Sequence, residues 1–267
     1  MKVQFFKGEA TGNDFIVLTS PSDRPLWLTR SAVSKLCDRH FGIGADGILV
    51  IGPSSRADFF MRIFNADGSE AEMCGNGIRV AVLFAKDVLG IQKESVSVET
   101  LAGIKRCQYS FDDKGDFWVT VNMGAPKAES LTVKLGKRRF VGWQVDTGNP
   151  HFVVLSEDAK RDAVEFGPRL TNHSVFPKGA NIHFVERLEH GNWLMVPYER
   201  GVGLTLSCGT GATATAYVLV YHGLAGTSKV SLALPGGLLE ATVKEGTVTL
   251  KGPARLVFEG SIDMDIS

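Results

Sequence analysis

A chain of 267 residues, 44% hydrophobic and 22% charged, is long enough for one large or two medium domains. Its 29 basic and 29 acidic residues cancel, and no basic run or stripe marks it for nucleic acid or an anionic membrane. The start, MKVQFFKGEATGNDF, lacks the apolar core of a signal peptide, and nowhere do about 18 apolar residues run together, so a cytoplasmic protein is expected. Four cysteines, Cys37, Cys74, Cys107 and Cys208, include no Cys-x-x-Cys pair and no histidine at metal spacing. A zinc site is therefore unsupported, and free thiols in a reducing compartment are the expectation.

Taken in chain order, FIVL, GILVIG, FFMRIF and VSVET are short β-branched or aromatic runs bounded by Gly, Pro, Ser and Asp, as strands are. The segment TRSAVSKLCDRHF (29–41) has helical spacing after a Thr/Ser start, with Ala32, Val33, Leu36 and Cys37 on one side. After Cys74, GIRVAVLFAKDVLG reads as a buried apolar helix closed by Gly90. After Cys208, GATATAYVLVYHGLAG reads the same way, closed by Gly223. From Val96 to Pro126 and from Val230 to Phe258 the pattern is strand–turn–strand, with DDKGD and KEGT as turns.

The chain is written twice. TGNDFIVL, from Thr11, returns as TGNPHFVVL, from Thr147; GADGILV, from Gly44, returns as GANIHFV, from Gly179. Asn65 precedes Cys74 by nine positions and Glu199 precedes Cys208 by nine, and VSVETLAGIK, from Val96, matches VSLALPGGLLE, from Val230. The offsets are 136, 135, 134 and 134, too regular for chance and too long for a solenoid. Two copies of one α+β fold follow, 1–120 carrying Cys74 and 121–267 carrying Cys208, with a terminal strand allowed to cross between them. Each is expected to wrap a mostly antiparallel sheet around its central helix, the two related by a pseudo-twofold axis with the active site in the cleft between.

Each cysteine stands where a helix begins, followed by glycines that leave backbone amides bare. Such a helix end binds anions and lowers the pKa of a thiol placed on it. For one Cys-Gly-x-Gly, close packing is the better explanation; for two in matched copies, a pair of acid–base thiols is. One would remove the α-proton of an amino acid and the other return a proton to the opposite face, without cofactor. Cys37, on an apolar helix face, and Cys107, in a strand, lack glycine flanks and read as core.

These motifs carry a resemblance. ATGNDF, DRHFGIGADG, FNADGSEAEMCGNGIR, DTGNPHFV, KGANIHFV and ERGVG...SCGTGA fall in the order and spacing of the diaminopimelate epimerase family, nearly end to end. The resemblance implies cofactor-independent interconversion of LL- and meso-diaminopimelate, on the route to lysine and peptidoglycan, with Cys74 and Cys208 as the two bases. It implies that Gly75, Asn76, Gly209 and Thr210 cradle the reacting carboxylate and that Asn13, Asn65, Asn149, Asn181, Glu199 and Arg200 read the amino groups and the distal carboxylate. These side chains suit that role, because an arginine forks onto a carboxylate while glutamate and asparagine accept from ammonium. His151 is a supporting residue in this reading. No metal, nucleic acid or membrane is implied, and a small-molecule substrate and a homodimer are. Gly47 and Leu204 depart from the family pattern, where glutamine and glutamate occur.

Three rivals share some of these features. A racemase of proline, hydroxyproline or histidine type would share the cysteines but, for a proline substrate, would have no second ionic end for Asn65, Asn181, Glu199 and Arg200 to hold. A binding module would not need both cysteines, and a hydrolase built on Cys208 and His151 would leave Cys74 unexplained.

Overall fold

A computed structural model describes residues 1–264, which divide into two compact units, 1–121 with the segment from 252 onward, and 122–251. The first unit contains β1 (Lys2–Ala10), β2 (Asn13–Thr19), α1 (Arg30–Cys37), β3 (Gly47–Gly52), β4 (Phe59–Asn65), β5 (Glu70–Ala71), α2 (Gly75–Asp87), β6 (Ser95–Thr100), β7 (Gly103–Phe111) and most of β8 (Phe117–Gly124). The second contains β9 (Lys127–Leu135), β10 (Arg138–Asp146), β11 (Pro150–Leu155), α3 (Ala159–Leu170), β12 (Asn181–Arg187), β13 (Trp193–Glu199), β14 (Gly203–Leu204), α4 (Gly209–Tyr221), β15 (Lys229–Leu234), β16 (Gly237–Lys244) and most of β17 (Thr247–Pro253). The chain then returns to the first unit as β18 (Arg255–Asp263), which pairs antiparallel with β1, Lys2 opposite Asp263. Among the described residues, no helix is long and apolar enough to cross a membrane.

The pairing pattern is the same in both units. Strand β2 runs parallel to β3 and β4 parallel to β6; β11 runs parallel to β12 and β13 parallel to β15. The other pairings within the two units are antiparallel. Both units are thus α+β, a mostly antiparallel sheet about one central helix. Helix α2 buries Gly75 through Ala85 without interruption, and α4 is buried almost as completely. A helix apolar on every side has no solvent face to orient it, so it is held wherever the sheet closes on it.

Local chemistry explains the ends of the elements. Thr29 caps α1 by accepting from the Ala32 amide at 3.2 Å. The helix stops at Cys37, short of the expected 41, because Asp38 Oδ1 accepts from the His40 and Phe41 amides at 2.7 and 2.8 Å and turns the backbone out of the helix. Gly90 and Gly223 follow α2 and α4 at φ +71° and +70°, the left-handed conformation a glycine adopts without strain. Helix α3 has no counterpart among the expected elements: Gly167–Pro168 reads as a breaker in sequence. Gly167 is required, since a Cβ there would sit 2.4 Å from the Tyr198 ring, and Pro168 occupies the last turn.

Cys37 and Cys107 are core residues, as expected. Burial pushes their thiols up to about 11 and about 12, which keeps them protonated and unreactive at neutral pH.

Candidate active site

Each unit places a cysteine as the N-cap of its central helix, both in extended backbone: Cys74 at φ −139°, ψ 122° and Cys208 at φ −136°, ψ 106°. At this position the first amides of the helix have no intrahelical acceptor. Gly75 and Asn76 open α2 and Gly209 and Thr210 open α4, so the glycines leave the approach to those amides unobstructed.

In the first unit, the Gly77 amide donates to Cys74 Sγ at 3.4 Å. Asn13, at the start of β2, brings Oδ1 to 3.9 Å from the sulfur and accepts there from Asn76 Nδ2 at 3.2 Å. Asn13 is itself held by Asp46 Oδ2, which accepts from its Nδ2 at 2.8 Å. Asn76 is 2% exposed, and its Oδ1 has no hydrogen-bond partner among the described residues, an acceptor with capacity to spare. Cys74, Gly75, Asn76 and Asn13 are therefore one cluster. Asn65 stands at the exposed end of β4, donating to Ser69 Oγ at 3.0 Å, and the next residue, Ala66, donates its amide to the carbonyl of Asp46, which holds Asn13. Gly47, beside it in register, cannot carry a larger residue without a backbone shift, because a Cβ would come 2.6 Å from the Phe64 carbonyl oxygen.

In the second unit, Cys208 is 4% exposed, and its Sγ lies 3.6 Å from Thr210 Oγ1. Burial pushes this thiol well above the ordinary range and the Glu199 carboxylate pushes it further. The Thr210 hydroxyl offsets only part of that, and so does the Gly211 amide, which makes no capping hydrogen bond of normal geometry. Glu199, the last residue of β13, accepts from Thr205 Oγ1 at 2.6 Å. Leu204, beyond it in the β14 turn, is exposed.

Behind Cys208 lies a buried chain of rings. His151 Nε2 is 2.9 Å from Asn149 Oδ1 and His151 Nδ1 is 2.8 Å from His183 Nε2. An amide oxygen only accepts, so His151 carries its proton on Nε2 and accepts at Nδ1 from His183. Burial lowers His151 to about 4 and His183 well below the ordinary range, so both rings are neutral. Nitrogen and sulfur atoms of His151, His183 and Cys208 lie within 4.8 Å of one another. Two ligands of one tetrahedral zinc stand about 3.3 Å apart, farther than the two hydrogen-bonded nitrogens, so the arrangement is a hydrogen-bonded chain and not a metal centre.

Asn181 and Arg200 form a third group. Asn181 spends its Nδ2 on the Pro150 carbonyl at 3.3 Å and its Oδ1 on the Arg200 amide at 3.0 Å. It ties the end of β13 to β11. The Arg200 guanidinium is exposed, with Nη1 donating to the Lys178 carbonyl at 2.6 Å, which leaves most of its fork toward solvent. Sequence reasoning missed His183 and Arg79, although both stand in the quoted motifs GANIHFV and CGNGIR; nothing local distinguishes a buried ring or cation from an exposed one.

A cavity of about 410 Å³, lined by Thr19, Ile51, Phe59, Leu89 and Ile91 among others, opens at the far ends of β2 and β3 from Asn13. Its lining is mostly apolar, with Ser20 and Asp58 among its polar members, and includes none of the cysteines.

The charge on Glu199 has a measurable consequence. In Glu199→Gln the pH midpoint for alkylation of Cys208, followed peptide by peptide, should fall, because removing the negative charge removes a cost of ionising the thiol. A midpoint that stays or rises would show that Glu199 does not act on Cys208.

Comparison with known proteins agrees with the resemblance carried by the motifs. A family model described as diaminopimelate epimerase matches residues 5–129 and 143–257. A diaminopimelate epimerase from Phocaeicola vulgatus is 40% identical, over 98% of this chain and 99% of the relative. One from Methanococcus maripaludis is 39% identical, over 98% and 100%. Among solved structures, a probable proline racemase from Agrobacterium radiobacter superposes with a TM-score of 0.77 at 15% identity, over 98% of this chain and 93% of that one. At that identity the likeness speaks for the fold alone.

Proposed function

The chain belongs to the diaminopimelate epimerase family, and on that premise we propose that it interconverts LL- and meso-2,6-diaminopimelate with Cys74 and Cys208 as its two acid–base groups. It is an isomerase of the lysine and diaminopimelate route. One sulfur, as thiolate, takes the α-proton, and the other, as thiol, delivers a proton to the opposite face of the planar carbanion. The scheme uses no cofactor.

The observation that carries this reading is the duplicated setting of the two thiols, each capping a buried helix whose first amides lack intrahelical partners. Gly75 and Asn76, with Gly209 and Thr210, hold the reacting carboxylate, where amide donors stabilise the charge that spreads onto it as the proton leaves. Asn13, Asn65, Asn149 and Glu199 accept from ammonium groups, and Arg200 receives the distal carboxylate. Asn181 serves the distal end by placing the Arg200 backbone, its Oδ1 accepting from the Arg200 amide. His151 supports the site through Asn149, whose Oδ1 it holds. A reducing cytoplasm and a homodimer are part of the same reading.

A racemase of proline type on the same fold is the second reading, favoured only by the structural likeness. The two are separated by incubating the purified chain, without added cofactor, with LL-diaminopimelate and with L-proline and following the stereoisomer ratios. Conversion of the first and not the second is expected. Racemisation of proline with no action on diaminopimelate would overturn the proposal.

A further inference from the structure

The two cysteines have matching backbones and opposite electrostatic surroundings. The offset that carries Cys74 onto Cys208 carries Gly75 onto Gly209, Arg79 onto Thr213 and Asn65 onto Glu199. Arg79 and Thr213 make equivalent local bonds. Arg79 Nη1 donates to the Gly75 carbonyl at 3.1 Å, and Thr213 Oγ1 donates to the Gly209 carbonyl at 2.9 Å. Thr213 does this with a neutral hydroxyl, the ordinary bond of a helical threonine to the preceding turn. Arg79 does it with a cation that has no exposed surface.

The other Arg79 donors go to Thr11 Oγ1 at 3.0 Å and to the Pro253 carbonyl at 3.1 Å. All three acceptors are neutral, so these hydrogen bonds satisfy the donors without supplying a counter-charge. A buried charge without a counter-charge is costly. The ionisable groups that bear on Arg79 are Cys74 and, from β1, Glu9. Glu9 stands opposite Arg255 of β18 in the strand register, and its Oε2 accepts from the Gly12 amide at 3.0 Å. Nearby, Lys7 and Arg39 pair with Asp14, Arg39 pairs with Asp46, and Arg62 pairs with Asp23 and Glu70, while β18 adds Arg255 and Glu259. Of the two groups that bear on Arg79, Cys74 stands directly before Gly75, whose carbonyl accepts from Arg79, and its sulfur accepts the Gly77 amide. Burial pulls Arg79 down only to about 10, so the guanidinium is charged at neutral pH.

Around Cys208 the sign is reversed. No cation occupies the Arg79 position, and Glu199 from β13 adds a negative charge. His151 of β11 and His183 of β12, which lie by the sulfur, are neutral, and β12 carries its charges, Glu186 and Arg187, at its other end.

We propose that Arg79 is the positioning residue that decides which thiol is ionised in the resting enzyme: its buried charge holds Cys74 as thiolate, while Thr213 and Glu199, in the matching places, leave Cys208 as thiol. The inference rests on the two-thiol reading above and adds a direction to it. A substrate stereoisomer that offers its α-hydrogen to Cys74 is met by a ready base. The C–H electron pair stays on carbon, Cys74 becomes the thiol, and Cys208 gives up its proton to the carbanion. The enzyme then returns to its resting state by losing a proton from Cys74 and taking one from water at Cys208. The opposite stereoisomer must wait for the reverse distribution.

The test is pH-dependent alkylation of the folded full chain with iodoacetamide, with Cys74 and Cys208 quantified on separate peptides. Because it needs no substrate, it is independent of whether the enzyme epimerises diaminopimelate. In the unaltered protein Cys74 should have the lower midpoint. Arg79→Met should raise the Cys74 midpoint by about one pH unit or more, the scale of one nearby opposite charge, and leave Cys208 where it was; Arg79→Lys should restore most of the shift. Should Arg79→Met not fold, Asn65→Glu puts a carboxylate at the exposed strand end that matches Glu199 and should raise the Cys74 midpoint. A lower midpoint at Cys208 in the unaltered protein overturns the proposal. So does a Cys74 midpoint that stays put in folded Arg79→Met or, failing that variant, in Asn65→Glu.

Discussion

Alanine at either Cys74 or Cys208 should reduce conversion of LL- to meso-diaminopimelate by about 10²–10⁴-fold or more, the share that a positioned acid or base supplies. Each face of the α-carbon needs its own group, so the two single variants should fail alike. Heavy water distinguishes two bases from one. With two, the delivering thiol equilibrates with solvent before the substrate arrives, and early turnover places deuterium at the inverted carbon of the meso product. The remaining LL pool stays nearly free of label, since the first cysteine returns the proton it took. A single base working on both faces would carry the substrate's own hydrogen into the product, or label both pools alike. Early label shared equally, or an alanine variant with near-normal inversion, would sink the two-thiol mechanism.

The second large effect is on stability and separates the two halves of the duplication. Gly77 and Gly211 occupy the same place in the first turns of α2 and α4, three residues after each cysteine. A Cβ at Gly211 would stand 2.2 Å from His183 Cε1 and 2.5 Å from its Nε2. That ring is buried and hydrogen-bonded to His151 at 2.8 Å, so it cannot swing away without breaking the bond. Gly211→Ala should therefore lose about 1–3 kcal/mol to overpacking, more than the roughly 1 kcal/mol that alanine gains over glycine inside a helix. At Gly77 the nearest atom to a Cβ is Leu49 Cδ2 at 3.1 Å, a methyl that can give by a few tenths of an ångström. The helix-propensity gain then offsets the crowding, and Gly77→Ala should stay within about 1 kcal/mol of the parent. Urea midpoints at unchanged slope measure both. Adding His183→Ala to Gly211→Ala should recover part of the loss, a non-additivity expected of touching residues. Equal costs at the two glycines would show that His183 does not press on α4.

The sequence by itself determined the duplication, the two cysteine-capped helices and the family. Each of these is written in short contiguous motifs, and backbone caps and apolar periodicity act over one or two turns of chain. Tertiary structure alone decided the rest. The sequence allows a terminal strand to cross between the copies, but the partner and register of β18 on β1, Lys2 opposite Asp263, join residues too far apart along the chain for local pattern to specify. Gly167, inside helix α3, is required by packing from far along the chain, since a Cβ there would meet the ring of Tyr198 from β13 at 2.4 Å. The difference between the two thiols is of the same kind. Cys74 and Cys208 look alike in Cys-Gly-Asn-Gly and Cys-Gly-Thr-Gly, but the state of a thiol depends on desolvation and on charges brought up by other strands. Glu199 comes to Cys208 from the end of β13, and Arg79 is sealed at Cys74 by Thr11 and by Pro253, a residue of the returning segment. Burial and counter-charge belong to the folded packing, so residues that read as equivalent along the chain end in opposite electrostatic surroundings.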